Sequence, residues 1–177
     1  MLTALFTISE SVVTLAATRW FPAEPYVFSL SVLFISLILM RWGLFAIVPA
    51  TVGAVAFCTV SGGEPCHYII YIAGNLLAVI PFFYFRLRDK ERVRKDPLKS
   101  AFLVFLVFLF QQTGRWLAGF AFGGTPGDII RFLTTDSLSL LFALVAVTAL
   151  RHADGLFEDQ KSYLFRLERE RKEQRNI

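Results

Sequence analysis

Glu10, Asn75, Gln111, Gln112, Arg115 and Asp136 lie inside long apolar stretches, where charged and amide side chains are least at home. Counted from the ends of those stretches, they fall at a similar depth. A charged side chain at the centre of a membrane-spanning helix costs roughly 2.5–3.5 kcal/mol on insertion scales, so such residues turn toward one another or toward a water-filled cavity and mark sites for ligands, ions or protons. Arg115 and Asp136 carry opposite charges and are each about seven residues from an outer helix end, about 10 Å deep at 1.5 Å per residue, where they can pair. Gln111 and Gln112 precede Arg115 by four and three residues and project toward its side of the helix. Thr135 and Ser139 repeat at helical spacing beside Asp136 and add hydroxyl groups. Trp116 is deep enough to line a pocket and stack on a flat ligand. The expected ligand-binding set is Glu10, Asn75, Gln111, Gln112, Arg115, Trp116, Asp136 and Ser139. The competing reading is that amide and hydroxyl side chains bond neighbouring helices together, with an Arg115–Asp136 pair tying two of them and Trp116 simply packing. Six polar positions at one depth exceed what packing requires, which favours a pocket open to the exterior.

Composition sets the class. Of 177 residues, 55% are hydrophobic, 19 are Phe and only 18% are charged, a balance no soluble domain of this length needs for its core. The expected architecture is all-α, an integral membrane bundle of six helices over residues 1–150 with an amphipathic cytoplasmic helix in the tail 151–177. Measured against about 20 residues per span, the six segments run over about 2–17, 26–40, 43–60, 68–85, 100–122 and 129–150. The link at Arg41 and Trp42 leaves room only for a tight turn, so the second and third segments are expected to form an antiparallel hairpin. Pro49 and Pro81 fall inside apolar runs, where membrane helices tolerate proline.

Orientation follows from the distribution of basic residues. The loop 86–99 holds seven Lys or Arg against three acids, whereas the opposite loops carry Glu24, Glu64 and Asp128 with a lone Arg19. That loop and the basic tail are expected in the cytoplasm, and with six spans both termini are too. The first segment is short and holds Glu10. It has no basic leader and no clean cleavage site, which argues against a signal peptide; an interfacial helix, leaving five spans and an external N-terminus, is the rival.

Other chemistry is sparsely represented. Cys58 and Cys66 flank a short outer loop and are compatible with a disulfide or with free thiols. His67 and His152 fall on opposite sides of the membrane, no metal-binding spacing or nucleophile elbow occurs, and no metal, cofactor or enzymatic activity is expected. The glycine-rich run Gly123-Gly-Thr-Pro-Gly-Asp128 lacks the Lys-Ser or Lys-Thr of a phosphate-binding loop and reads as an external turn that caps the pocket. Trp20 and Trp42 sit at helix ends, where interfacial Trp is favoured. In the tail, Leu156, Phe157, Tyr163, Leu164 and Leu167 form one stripe before a charged end, as in a helix lying on lipid or on a partner. Its near-balanced charge argues against a nucleic-acid arm.

The size, the six spans, the hairpin running into Pro49-Ala-Thr-Val-Gly-Ala-Val-Ala56 and the fourth helix Tyr71-Ile-Ala-Gly-Asn-Leu-Leu-Ala78 together resemble the substrate-binding S components of energy-coupling-factor (ECF) transporters. The resemblance implies a vitamin-like small-molecule ligand held near the external side under outer loops, with Asn75, Arg115 and Asp136 in the pocket. It also implies docking on a scaffold membrane subunit that carries two ATPases. The Ala-x-x-x-Ala docking pattern of that family's first helix is absent; Ser9, Val13 and Ala17 occupy the corresponding spacing. The alternative function is a non-transporting assembly or regulatory subunit that docks a partner through its basic cytoplasmic loop and tail.

Overall fold

In the computed structural model of the protein, the described residues are 2–20, 28–87, 93, 96–150 and, in the tail, 165, 168–169 and 171–172. Most of the loop 88–95 and the expected tail helix lie outside them. Most of the described residues are helical, and none of them is in a strand. The helices are α1 (Leu2–Trp20), α2 (Ser31–Trp42), α3 (Ile47–Ser61), α4 (Pro65–Leu77), α5 (Phe82–Leu87), α6 (Pro97–Ala121), α7 (Asp128–Thr135) and α8 (Ser137–Leu150), with a 3-10 turn at Gly43–Ala46 between α2 and α3. Three stretches, Ser31–Ser61, Pro65–Arg86 and Pro97–Ala121, are long and apolar enough to cross a membrane, and α7 with α8 makes a fourth if the bent pair is one span. The protein is thus all-helical with three to four such helices; α1 is not among them.

The stretch Ser31–Ser61 is not one straight rod. Phe6 stacks on Phe34 with ring centroids 4.6 Å apart, and the same ring lies against Gly53, where it occupies the place of a Cβ. In a continuous helix those two positions would be about 28 Å apart. The chain therefore folds back between them, at Gly43, whose φ of 64° is open chiefly to glycine. The hairpin expected from the short link is present, with Phe6 wedged between its arms.

Neighbouring elements then alternate in direction. Ala50 meets Asn75 and Phe57 stacks on Tyr71 across α3 and α4; Asn75 meets Gln111 across α4 and α6, and Tyr84 meets Phe102 between α5 and α6. Arg115 meets Asp136, and Gly119 faces Phe132, from α6 to the α7–α8 pair. One end of the bundle accordingly carries Arg41, Arg86 and Lys99. The other carries the 62–64 turn and the 122–127 loop.

Two segments that the sequence presents as continuous are broken. At Pro81 the missing N–H removes a helical hydrogen bond, and Val79, Ile80, Phe82 and Phe83 instead bond carbonyls three residues back, so the fourth segment divides into α4 and α5. The sixth bends by 43° between α7 and α8. There the bond from Asp136 N–H to Phe132 O lengthens to 3.4 Å, the hydroxyls of Thr134, Thr135 and Ser137 compete for carbonyls one turn back, and the Asp136 side chain is buried in the bundle. The second segment starts at Ser31 rather than near residue 26, and the first is helical through Trp20.

Exposed side chains match a lipid environment. Leu5, Ile8, Val12 and Leu15 form an uncovered apolar stripe on α1, and Leu138, Leu141 and Val145 another on α8.

Candidate functional site

The polar layer is shared in depth but divided in contact. Its first cluster is built on α6. Arg115, 2% exposed, reaches Asp136, 1% exposed, with Nη1 2.7 Å from Oδ2. Gln112 Nε2 donates to the same oxygen at 2.8 Å, and Gln112 Oε1 accepts from Arg115 Nη1 at 3.3 Å, closing a triangle. The guanidinium lies 4.4 Å from the ring centre of Tyr71 on α4, a cation–π contact that is strongest where water is excluded. Glycine makes this approach possible: a Cβ on Gly74 would collide with the Arg115 side chain and lie 2.9 Å from the carbonyl oxygen of Gln111. Two atoms of the ion pair remain unsatisfied, Arg115 Nε and Asp136 Oδ1.

Above this pair, toward the end with the 122–127 loop, lies a cavity of about 480 Å³. Arg115 and Asp136 line it together with Tyr71, Trp116, Arg131 and Phe132; Cys66 and His67 at the start of α4 and Phe120 and Phe122 contribute further wall. Gly123, Gly124 and Asp128 border it from the loop. That loop is held in shape: Asp128 Oδ2 accepts the Thr125 N–H at 2.6 Å, Gly124 N–H donates to Gly119 O at 3.0 Å, and Trp116 Nε1 donates to Thr125 O at 3.4 Å. Asp128 thus spends one oxygen on its own loop, whereas Arg131 brings a positive charge to the wall.

Asn75 and Gln111 form the second cluster. Gln111 Nε2 donates to Asn75 Oδ1 at 2.5 Å, and Asn75 Nδ2 donates to Ala50 O at 2.9 Å, joining α3, α4 and α6 through two amides. Neither lines the cavity. Glu10 and Ser139 belong to a third cluster at the start of α2, where Glu10 Oε2 accepts the Leu30 N–H at 2.8 Å and Ser139 Oγ accepts the Ser29 N–H at 2.9 Å. Of the residues expected to bind ligand, Arg115, Trp116 and Asp136 are therefore at the cavity, Gln112 holds the ion pair, and Glu10, Asn75, Gln111 and Ser139 bond other helices. Thr135 lines the cavity, while its hydroxyl bonds Arg131 O at 2.8 Å.

Tyr71, Arg131, Phe132 and His67 join the site without a place in the set expected from sequence. Tyr71 does carry a signal: it stands one helical turn before Asn75 and beside Gly74, on the face turned to α6. Arg131 carries another, as a cation two residues inside the sixth apolar segment. Cys58 and Cys66 are both free thiols. Glu64, Cys66 and His67 bring ligand-type atoms within 4.8 Å of one another, in the arrangement of a capping box, with His67 Nδ1 accepting the Glu64 N–H at 3.0 Å. The hydrogen-bonded Nδ1 is thereby occupied, and helix capping accounts for the cluster.

No protein-family model, characterised protein or solved structure matches the chain.

Proposed function

We propose that this chain is a six-pass, solute-binding membrane protein that captures a small ligand from the external side, in the manner of an ECF S component. One observation carries the reading: a cavity of about 480 Å³ whose wall joins the buried Arg115–Asp136 pair to the aromatic rings of Tyr71, Trp116 and Phe132. Its volume is within the usual range of small-molecule sites. The chemistry of the lining defines the solute class. Tyr71, Trp116 and Phe132 favour a flat ring, and the Arg115–Asp136 pair beside them favours one with a polar edge. Arg131 tolerates a negative substituent.

In this reading α1 and both arms of the 31–61 hairpin are spans, both termini and the end with Arg41, Arg86 and Lys99 are cytoplasmic, and the 122–127 loop closes over the external mouth. A scaffold subunit with ATPases would drive the transfer, with the basic loop and tail on the side where such a partner acts.

Native mass spectrometry of gently extracted protein tests the proposal. A retained small molecule present in the wild type and lost from Arg115→Leu that remains folded supports it; an empty wild type, or equal retention by both, overturns it. In the same preparation, co-purifying ATPases support the transport partner, whereas a different stable partner favours the assembly or regulatory subunit.

A further inference from the structure

Glu10 has no part in the cavity, yet it is fully buried. Among the described residues no cationic side chain bonds to it; its partners are a backbone N–H and serine hydroxyls. Oε2 accepts from Leu30 N–H at 2.8 Å, and Oε1 lies 2.6 Å from Ser29 Oγ and 3.5 Å from Ser31 Oγ. The two serine oxygens are 2.8 Å apart, and Ser31 N–H donates to Ser29 Oγ at 3.1 Å. Among the described residues, the charges that act on the group from other elements are Asp136 and Arg115, which already neutralise one another.

Counting hydrogens makes the arrangement informative. Ser29 has one hydroxyl hydrogen and two oxygens, Glu10 Oε1 and Ser31 Oγ, close enough to receive it. With Glu10 ionised, Ser29 donates to the carboxylate and Ser31 donates to Ser29 or to Glu10. With Glu10 neutral, the acid O–H donates to Ser29, which turns its own hydrogen to Ser31. The Ser31 hydrogen then turns to Glu10 Oε1 across the longer 3.5 Å contact, Oε2 keeps the Leu30 N–H in each state, and the two differ by the added proton and by hydroxyl rotations. In the ionised state the carboxylate sits at the N-terminus of α2, where exposed N–H groups favour a negative charge.

We propose that Glu10, Ser29 and Ser31 form a reversible proton-binding site within the membrane bundle. The proton comes from water, forms an O–H bond on Glu10 and leaves by the reverse step. The site joins three elements: Glu10 is on α1, its partners begin α2, and Ser29 N–H is bonded to Ser139, three residues after Asp136 on α8. If the solute reading holds, a ligand that engages Asp136 or Arg115 changes the field at Glu10, so proton binding and solute binding are linked. The proton site itself does not depend on that reading.

Infrared titration of the purified protein in detergent, with the proton as the probe, tests the site. A carboxylic acid C=O band should be present in acid, vanish as the pH rises, be missing from Glu10→Gln at every pH and be the same in sodium and choline buffers. Ser29→Ala, which keeps the carboxyl but removes its hydroxyl partner, should move the band and its midpoint, and serves if Glu10→Gln does not fold. Absence of any band sensitive to either substitution, a band that does not titrate, or one removed by sodium at constant pH would each overturn the proposal, the last in favour of a sodium site.

Discussion

Gly74 and Gly114 face one another across α4 and α6 so closely that a Cβ built on Gly114 would lie 2.8 Å from the Gly74 Cα. The contact sets the spacing of the two helices, one residue before Arg115 and one before Asn75. In lipid, where burial of apolar surface does not drive helices together, such close backbone approach is a main source of association. Gly114→Ala must separate the helices, an overpacking cost of about 1–3 kcal/mol. Gly119, further along α6, has room for a methyl group, which would find its nearest neighbour, a ring carbon of Phe132, 3.8 Å away. Gly119→Ala is therefore expected to be neutral or stabilising. Thermal unfolding in one detergent compares the two; equal behaviour would show that the Gly74–Gly114 contact does not limit packing.

The Arg115–Asp136 pair yields a double-mutant cycle. Removing either charge strands the other in a site where both are almost fully buried, and breaking a buried pair in this way costs about 3–5 kcal/mol. Arg115→Met with Asp136→Leu leaves no stranded charge, so the double variant should be much more stable than the sum of the single losses predicts. Additive losses would mean that the pair contributes no coupling. Gln112 complicates the Asp136 arm, because its amide also loses a partner. Gln112→Leu measured alone separates that contribution.

Much of this arrangement is legible in the sequence. Long apolar runs announce helices, the short link at Arg41 and Trp42 permits only a reversal, and opposite charges at equal depth in consecutive segments announce the Arg115–Asp136 contact. What depth counting does not carry is lateral position. Asn75 and Gln111 are level with Arg115, yet they bond to each other and to Ala50, because the face each presents is fixed by helix rotation and by the glycines between them. Ser29 and Ser31 escape notice because the apolar run around them reads as a span from about residue 26, inside which two hydroxyls mark nothing, and they acquire meaning only through Glu10 at the true helix start. The bend at Asp136 is hidden because six residues from Thr134 to Ser139 are compatible with a helix as well as with its interruption. Tertiary contacts decide between them.

Asp96 gives a pH dependence outside the bundle. It caps α6, its Oδ1 accepting the Leu98 N–H at 3.1 Å and its Oδ2 lying 2.9 Å from Lys99 Nζ. The hydrogen bond from Lys99, assisted by the backbone N–H groups, holds its carboxyl below the usual carboxylate value. A group whose folded value is depressed contributes stability that is fully present above its unfolded value, about 3.9 for aspartate, and is lost as the pH falls through the folded value. Acid should therefore weaken the start of α6, and Asp96→Asn, which can still cap, should flatten that part of the profile. Thermal unfolding of both proteins across the acid range measures it; parallel curves would exclude Asp96 as a source.

Orientation is open to a direct chemical test. Leu98 is 80% exposed at the end that carries Arg41, Arg86 and Lys99, whereas Thr125 lies in the loop at the opposite end, beside the cavity. In a background of Cys58→Ser and Cys66→Ser, a cysteine at either position is a single reactive group. With the basic end in the cytoplasm, Thr125→Cys should react with an impermeant thiol reagent in intact cells, and Leu98→Cys only after the membrane is opened. Reaction of Leu98→Cys alone in intact cells would invert the protein, turning the cavity and its Arg115–Asp136 floor toward the cytoplasm, and capture of an external solute would be ruled out.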